Sequence, residues 1–192
     1  MVANWVLILS LLAFSQDGST EAAADSSLQP WPQGALEALE RIRTPEGVSK
    51  RIIAAGPLVR DPVAFAVDHR GRAYVCESER QEYGVEDNRS SPFWLQDDLA
   101  LQTVDDRLAM YEKHKDRRLD GMGYYSARED RLTCLSDEDG DGIMDTVKPF
   151  TDPFAEPLDG TLAGVLVDEG TAWITNIPHL WIATDENQDG QA

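Results

Sequence analysis

Basic residues are scarce: Lys and Arg number 17 against 35 Asp and Glu, a formal charge of −18 over 192 residues. A phosphate backbone needs a basic surface, so general nucleic-acid binding is excluded, and so is adhesion to anionic lipid. Cysteine is nearly absent. Cys76 and Cys134 are the two, and neither lies in a CxxC or CxxCH. This removes a zinc ribbon and a c-type haem attachment from the stretch. The three histidines, His69, His114 and His179, are dispersed. No HExxH and no Ser/His/Asp arrangement is present, so neither a zincin nor a triad hydrolase is readable. The apolar stretch near the N-terminus, residues 6–14 (VLILSLLAF), is too short to span a bilayer as a helix. What is present is 42% hydrophobic residues, enough for a packed core.

That stretch suits an export signal. Residues 1–15 are expected to form it, with small residues at Ala13 and Ser15 placing cleavage after Ser15. The preceding MVANW holds no Lys or Arg, so only the terminal amine is positive; the alternative is a buried N-terminal helix or strand. Residues 16–34 are rich in Ser, Ala, Asp, Gln and Pro, have no apolar period and read as a flexible tether. The mature chain is then expected outside the cytoplasm, periplasmic or at the cell surface, with no membrane span of its own.

From residue 35 onward the pattern is mainly β. Residues 35–42 (ALEALERI) carry Leu36, Leu39 and Ile42 on one face of a short helix, and residues 48–54 read as a strand. A hairpin follows: residues 63–67 (VAFAV), the turn Asp68-His69-Arg70-Gly71, then residues 73–76 (AYVC). Residues 77–120 interrupt it with a helical insertion, one helix starting near Ser91-Pro92 and a second after Thr103. Thr103-Val104-Asp105-Asp106 resembles a capping box with Asp in place of Glu. Leu101, Val104, Leu108 and Tyr111 recur at helical spacing and are the expected core stripe. Strands resume at residues 131–136 (RLTCLS), 146–150, 162–167 (LAGVLV), 172–175 (AWIT) and 179–184 (HLWIAT).

Two of these strands run straight into acidic glycine loops. The loops begin at Asp137 and Asp185, 48 residues apart, and the two hairpins echo each other as well. A four-stranded unit recurring every 40–50 residues is the mark of a β-propeller blade. The chain is therefore expected to hold an incomplete propeller of about two blades, the helical insertion in the first. Residues 35–192 would be its N-terminal part, truncated at the C-terminus. A small β-sandwich is the alternative.

In the first loop Asp137, Asp139 and Asp141 occupy positions one, three and five, Gly142 the sixth and Asp145 the ninth. The second repeats the spacing with Asp185, Asn187 and Asp189. Oxygens at these offsets converge when Gly permits the turn, and Ca²⁺ favours such hard donors. Lys148 stands where an EF-hand has its bidentate Glu, and the flanks are strands, so any site is expected to be weak, about 10⁻⁴–10⁻³ M. A solvated Asp/Gly turn without metal is the alternative. Cys76 and Cys134 fall in strands expected to be neighbours, which leaves a disulfide or two buried thiols. Asn88-Arg89-Ser90 fits a glycosylation acceptor.

Four stretches carry a family likeness: PEGVSKRIIAAGPLVRDPVAFAVDHRGRAYVCES, GVEDNRSSPFWLQDDLALQTVDDRLAMYEKH, DRLTCLSDEDGDGIMD and LDGTLAGVLVDEGTAWITNIPHLWIATDENQDGQA. From about Leu36 onward the chain resembles the large exported membrane-bound dehydrogenase-like proteins of planctomycetes, the PVC-type haem-binding proteins. Their propeller is similar to that of the glucose/sorbosone dehydrogenases. The resemblance implies oxidation of a sugar or alcohol, with electrons passed to a downstream cytochrome c domain. It implies haem c, and more distantly the quinone PQQ, only in parts beyond this stretch. It transfers no catalytic residue and names no final electron acceptor. Glu77, Arg80, Glu86, Asp87, Asn88 and Arg89 follow a strand end, where propeller loops line a central site; a solvated loop is the plainer reading. A non-catalytic, Ca²⁺-stabilised propeller that binds carbohydrate or protein is the alternative function.

Overall fold

The computed structural model describes the backbone of Val6–Leu9 together with residues 31–81 and 83–192. The chain divides into two compact units, one of residues 1–60 and 137–146, the other of residues 61–136 and 147–192.

In the first unit, β1 (Val6–Leu9) runs antiparallel to β2 (Arg51–Ala55), and α1 covers Gln33–Arg41. Ala35 of α1 is buried with Ile52 and Ala55 of β2, and Trp31 and Leu39 pack against them. The last carbonyls of a helix lack internal partners. Here the Lys50 ammonium supplies one, donating to the carbonyls of Leu39 at 2.8 Å and Ile42 at 2.6 Å. The export signal expected over residues 1–15 lies outside the described residues apart from the β1 backbone. So does most of the tether expected over 16–34, and α1 begins at Gln33, inside the expected tether.

The second unit is mainly β. β3 (Pro62–Val67), β4 (Ala73–Ser78), β5 (Asp130–Ser136) and β6 (Thr146–Pro149) form one four-stranded sheet in chain order. β7 (Leu162–Asp168), β8 (Thr171–Asn176) and β9 (His179–Thr184) form a three-stranded one. Both are antiparallel and open at their edges. They share a core: Tyr74, Cys76, Leu132 and Cys134 from the first sheet meet Leu162, Ala172 and Ile174 from the second, with Phe150 and Phe154 between. The Tyr74 ring stands edge-on to Phe150 at 5.0 Å.

The sheets differ in cover. The first five residues of β4 are all buried, so both faces of that strand are covered. In the second sheet Leu166, Trp173 and Ile182 lie opposite one another and therefore on one face, and Leu180 follows two residues from Ile182. Leu166, Leu180 and Ile182 are each more than 60% exposed.

Between β4 and β5 the helical insertion runs through a 3₁₀ turn (Pro92–Trp94), α2 (Leu95–Ala100), α3 (Val104–His114) and two further 3₁₀ segments ending at Ser126. It thus extends past the expected limit of residue 120. The capping box is present with Asp: the Thr103 hydroxyl accepts from the Asp106 amide at 3.1 Å, and Asp106 Oδ2 accepts from the Thr103 amide at 2.9 Å. The expected stripe is corrected. Leu101 is extended yet packs against the buried cluster, and Tyr111 is buried, but Val104 and Leu108 are exposed. Trp94, Met110 and Tyr125 complete the buried cluster with Tyr111, the Tyr111 and Tyr125 rings stacked at 4.1 Å.

One buried carboxylate ties the two sheets. Asp130 opens β5 and is fully buried. Its Oδ1 accepts from the amides of Glu79 at 2.8 Å and Arg80 at 2.9 Å. Its Oδ2 accepts from the Ser78 hydroxyl at 3.0 Å and the Leu162 amide at 2.7 Å. Beside it, Asn176 and Gly160 exchange two hydrogen bonds, and a Cβ at Gly160 would overlap the Ile177 carbonyl. Asp130→Ala leaves three backbone donors without a partner and should lower stability by about 3 kcal/mol or more. Urea unfolding followed by tryptophan fluorescence measures this. A loss below about 1 kcal/mol would show that the carboxylate does not hold the sheets.

Candidate functional site

The first acidic loop, between β5 and β6, folds on itself. Both Asp137 oxygens accept from backbone amides, Oδ1 from Gly140 and Oδ2 from Gly142, each at 2.7 Å. Asp145 Oδ2 accepts from the Glu138 amide at 3.1 Å, which folds the ninth position back over the first three. Gly140 and Gly142 both adopt positive φ, as the tight turn requires. A Cβ at Gly142 would in addition overlap the Arg51 guanidinium. The result is convergence: Asp137, Asp139 and Asp145 each offer an oxygen, all within 4.8 Å of one another. Asp141, also expected as a ligand, is outside that group and its Oδ1 accepts from the Ile143 amide at 2.7 Å. The donors are all carboxylate oxygens, the chemistry Ca²⁺ prefers.

The second loop has the same turn with a different partner. Asp185 is buried and accepts from the amides of Asp189 at 3.1 Å and Gly190 at 2.8 Å, as Asp137 does in its own loop. Its Oδ2 also lies 3.4 Å from Arg72. Asn187 Nδ2 donates to Asp189 Oδ2 at 3.1 Å. A guanidinium thus stands against the first position of this loop. Arg72 is held in turn by Asp68, with Nε to Oδ2 at 2.7 Å, and Asp68 Oδ1 accepts from the amides of Arg70 and Arg72, both at 2.9 Å. Burial alone would raise the Asp68 carboxyl. The Arg72 side chain and the two amides outweigh it and hold the group below its usual value of 3.8. Arg72 also lies over the Tyr74 ring at 5.5 Å, and burial pushes the Tyr74 phenol up. Asp68, Arg72 and Asp185 form a buried ionic group that sequence spacing did not expose. The one readable signal was Asp at the head of each Gly turn.

The segment after β4 is not a uniformly solvated loop. Glu77 and Arg80 are buried. Glu86 pairs with Arg118 at 3.3 Å and accepts from the Ser91 and Tyr124 hydroxyls. Burial, reinforced by Glu86, pushes the Tyr124 phenol up to about 12. Asp87 and Arg89 form an exposed pair. Asn88, the expected glycosylation acceptor, uses both ends of its amide, donating to Asp98 at 2.7 Å and accepting from the Trp94 indole at 2.8 Å. Arg80 is the least ordinary of the group. Its Nη2 donates to the carbonyls of Tyr125 and Asp159, each at 3.0 Å, while its Nε and Nη1 are buried with no hydrogen-bond partner among the described residues. Burial pulls its pKa down, and Asp159 and Asp130 oppose that shift.

The two cysteines are free thiols. Cys76 lies opposite Leu132 and Cys134 opposite Tyr74, so the pair is diagonal. Diagonal positions are roughly 7–8 Å apart, beyond disulfide reach. Burial pushes the Cys76 thiol up to about 12 and raises Cys134 as well.

Residues 35–192 match a family model described as a domain of unknown function, DUF7133. No curated protein matches, and no solved structure matches.

The lowered Asp68 carboxyl gives a pH dependence of known sign. Its contribution is complete above pH 3.8, the usual value, and is lost as pH falls through the lower folded value. Asp68→Asn should therefore flatten the stability profile below pH 4. At pH 7 it should cost about 3 kcal/mol, the low end for a broken buried pair, because Asp185 still faces Arg72. Urea midpoints from pH 2.5 to 7 test this, and parallel profiles for variant and parent would refute it.

Proposed function

The chain belongs to the DUF7133 family, and on that footing we propose that it is the N-terminal part of an exported, dehydrogenase-like β-propeller protein. The two sheets are then successive blades. The observation that carries this is their common plan. Each is an antiparallel meander containing a hairpin closed by an Asp and Gly turn, the third strand of each runs into an Asp-headed Gly loop, and the two share one core. The family resemblance supplies the chemistry: a sugar or alcohol is oxidised and electrons pass to a downstream cytochrome c domain. Haem c and any PQQ belong to that downstream part, together with the residues that act on substrate.

The converging oxygens of Asp137, Asp139 and Asp145 favour a second reading, a non-catalytic propeller stabilised by Ca²⁺ that binds carbohydrate or protein. A bound Ca²⁺ would neutralise charge that the loop amides only partly offset. The second loop already has Arg72 beside its leading carboxylate, so we assign Ca²⁺ to the first loop.

The whole gene product decides between the two. It should show a c-type haem spectrum and reduce a dye acceptor when given a sugar or alcohol. Haem without turnover would favour the binding module, and a reading frame with neither further blades nor CxxCH after Ala192 would overturn the dehydrogenase reading. For the metal, millimolar Ca²⁺ should raise the melting temperature and Asp139→Ala should abolish the rise. Identical melting curves in Ca²⁺ and in chelator would remove the site.

A further inference from the structure

A cavity of about 610 Å³ opens beside the helical insertion, within the range of small-molecule sites. Its walls are mostly apolar, with Leu101, Val104, Leu158 and Ile177 among them. Val104 was expected in the core and lines this wall instead.

The charged groups around the cavity are arranged unevenly. Arg107 is on the wall and is tied through one nitrogen to Asp98 at 3.2 Å, which leaves its other donors available to a ligand. Arg80 lies behind the wall. The Asp159 carbonyl accepts from its guanidinium, and the Val85 amide donates to its carbonyl at 3.2 Å; both Asp159 and Val85 line the cavity. Its Nε and Nη1 remain without partners among the described residues. The N-terminus of α3 contributes Thr103 and Val104 to the same wall, and the Thr103 amide is already capped by Asp106. Asp159, on the wall that Arg80 backs, is the lining carboxylate, and its Oδ2 is occupied by the Glu156 amide at 2.9 Å. A buried guanidinium with two unmet donors is expensive, and an anion nearby relieves part of that cost.

We propose that this cavity binds an apolar molecule bearing one carboxylate. The apolar body rests on Leu101, Val104, Leu158 and Ile177, and the carboxylate faces Arg107. This site shares no residue with the acidic loops, and it stands whether or not the dehydrogenase reading holds.

Isothermal titration of the purified chain with 2-naphthoate and with the neutral 2-naphthalenemethanol tests it. The acid should bind about tenfold or more tightly than the alcohol, the worth of one charge-assisted hydrogen bond. Arg107→Gln should remove that preference while leaving the alcohol unchanged. Ala163→Trp, which fills the cavity from an exposed lining position, should abolish both, with melting temperature and circular dichroism confirming that each variant is folded. Equal affinity for acid and alcohol would overturn the carboxylate assignment. Absence of binding, or binding that survives Ala163→Trp and is lost in Ile182→Ser, would overturn the cavity itself.

Discussion

Asp130 is the point on which the second unit turns. Its two oxygens take four donors from three places: the end of β4, the residues just after it, and the first residue of β7. Three of those donors are backbone amides, whose positions are set by the chain path and not by a rotamer. Satisfying one carboxylate therefore fixes where β4 ends, where β5 begins and where β7 enters. Burial of an ionised group without such donors would be prohibitive, which makes the arrangement all-or-none in character. The shared core of Tyr74, Leu132, Leu162 and Ile174 then packs between strands whose ends are already placed.

The opposite ends of the same strands are pinned by a different device. There Arg72 sits between Asp68, in the β3–β4 turn, and Asp185, beyond β9. One end thus uses a carboxylate surrounded by amides, the other a cation between two carboxylates. Apolar packing fills the interval but has no direction of its own. The polar groups at the two ends supply the direction, and each joins one sheet to the other.

Much of this was legible as pattern. The β3–β4 hairpin, β9 and the two acidic turns follow from alternation and Gly placement, and the capping box at Thr103 from four residues read in order. Long-range registry was not legible. Nothing local says that Cys134 faces Tyr74 and not Cys76, and a two-residue offset decides between a disulfide and two thiols. Nor does composition say which acidic residues among 35 are buried. Asp130 reads like its neighbours Glu129 and Arg131 until the strands meet. In the acidic loops the spacing predicted convergence of Asp137, Asp139, Asp141 and Asp145, of which all but Asp141 come together, but not that Arg72 arrives from 113 residues away to meet Asp185. The stripe held at Leu101 and Tyr111 and failed at Val104 and Leu108, because the buried side of α3 is centred on Met110 and Tyr111.

The uncovered face of the second sheet has a colloidal consequence. Leu166, Leu180 and Ile182 offer copies of the chain a dry surface to share, and β9 is an edge strand beside it. Against that attraction stands the mutual repulsion of chains carrying −18 each. The attraction acts at contact and is little changed by dilute salt, whereas the repulsion reaches only about one Debye length, roughly 8 Å at physiological ionic strength and 30 Å in dilute buffer. The dispersion of this chain is thus set by the ionic strength around it, and brackish surroundings bring its bare face within reach of another.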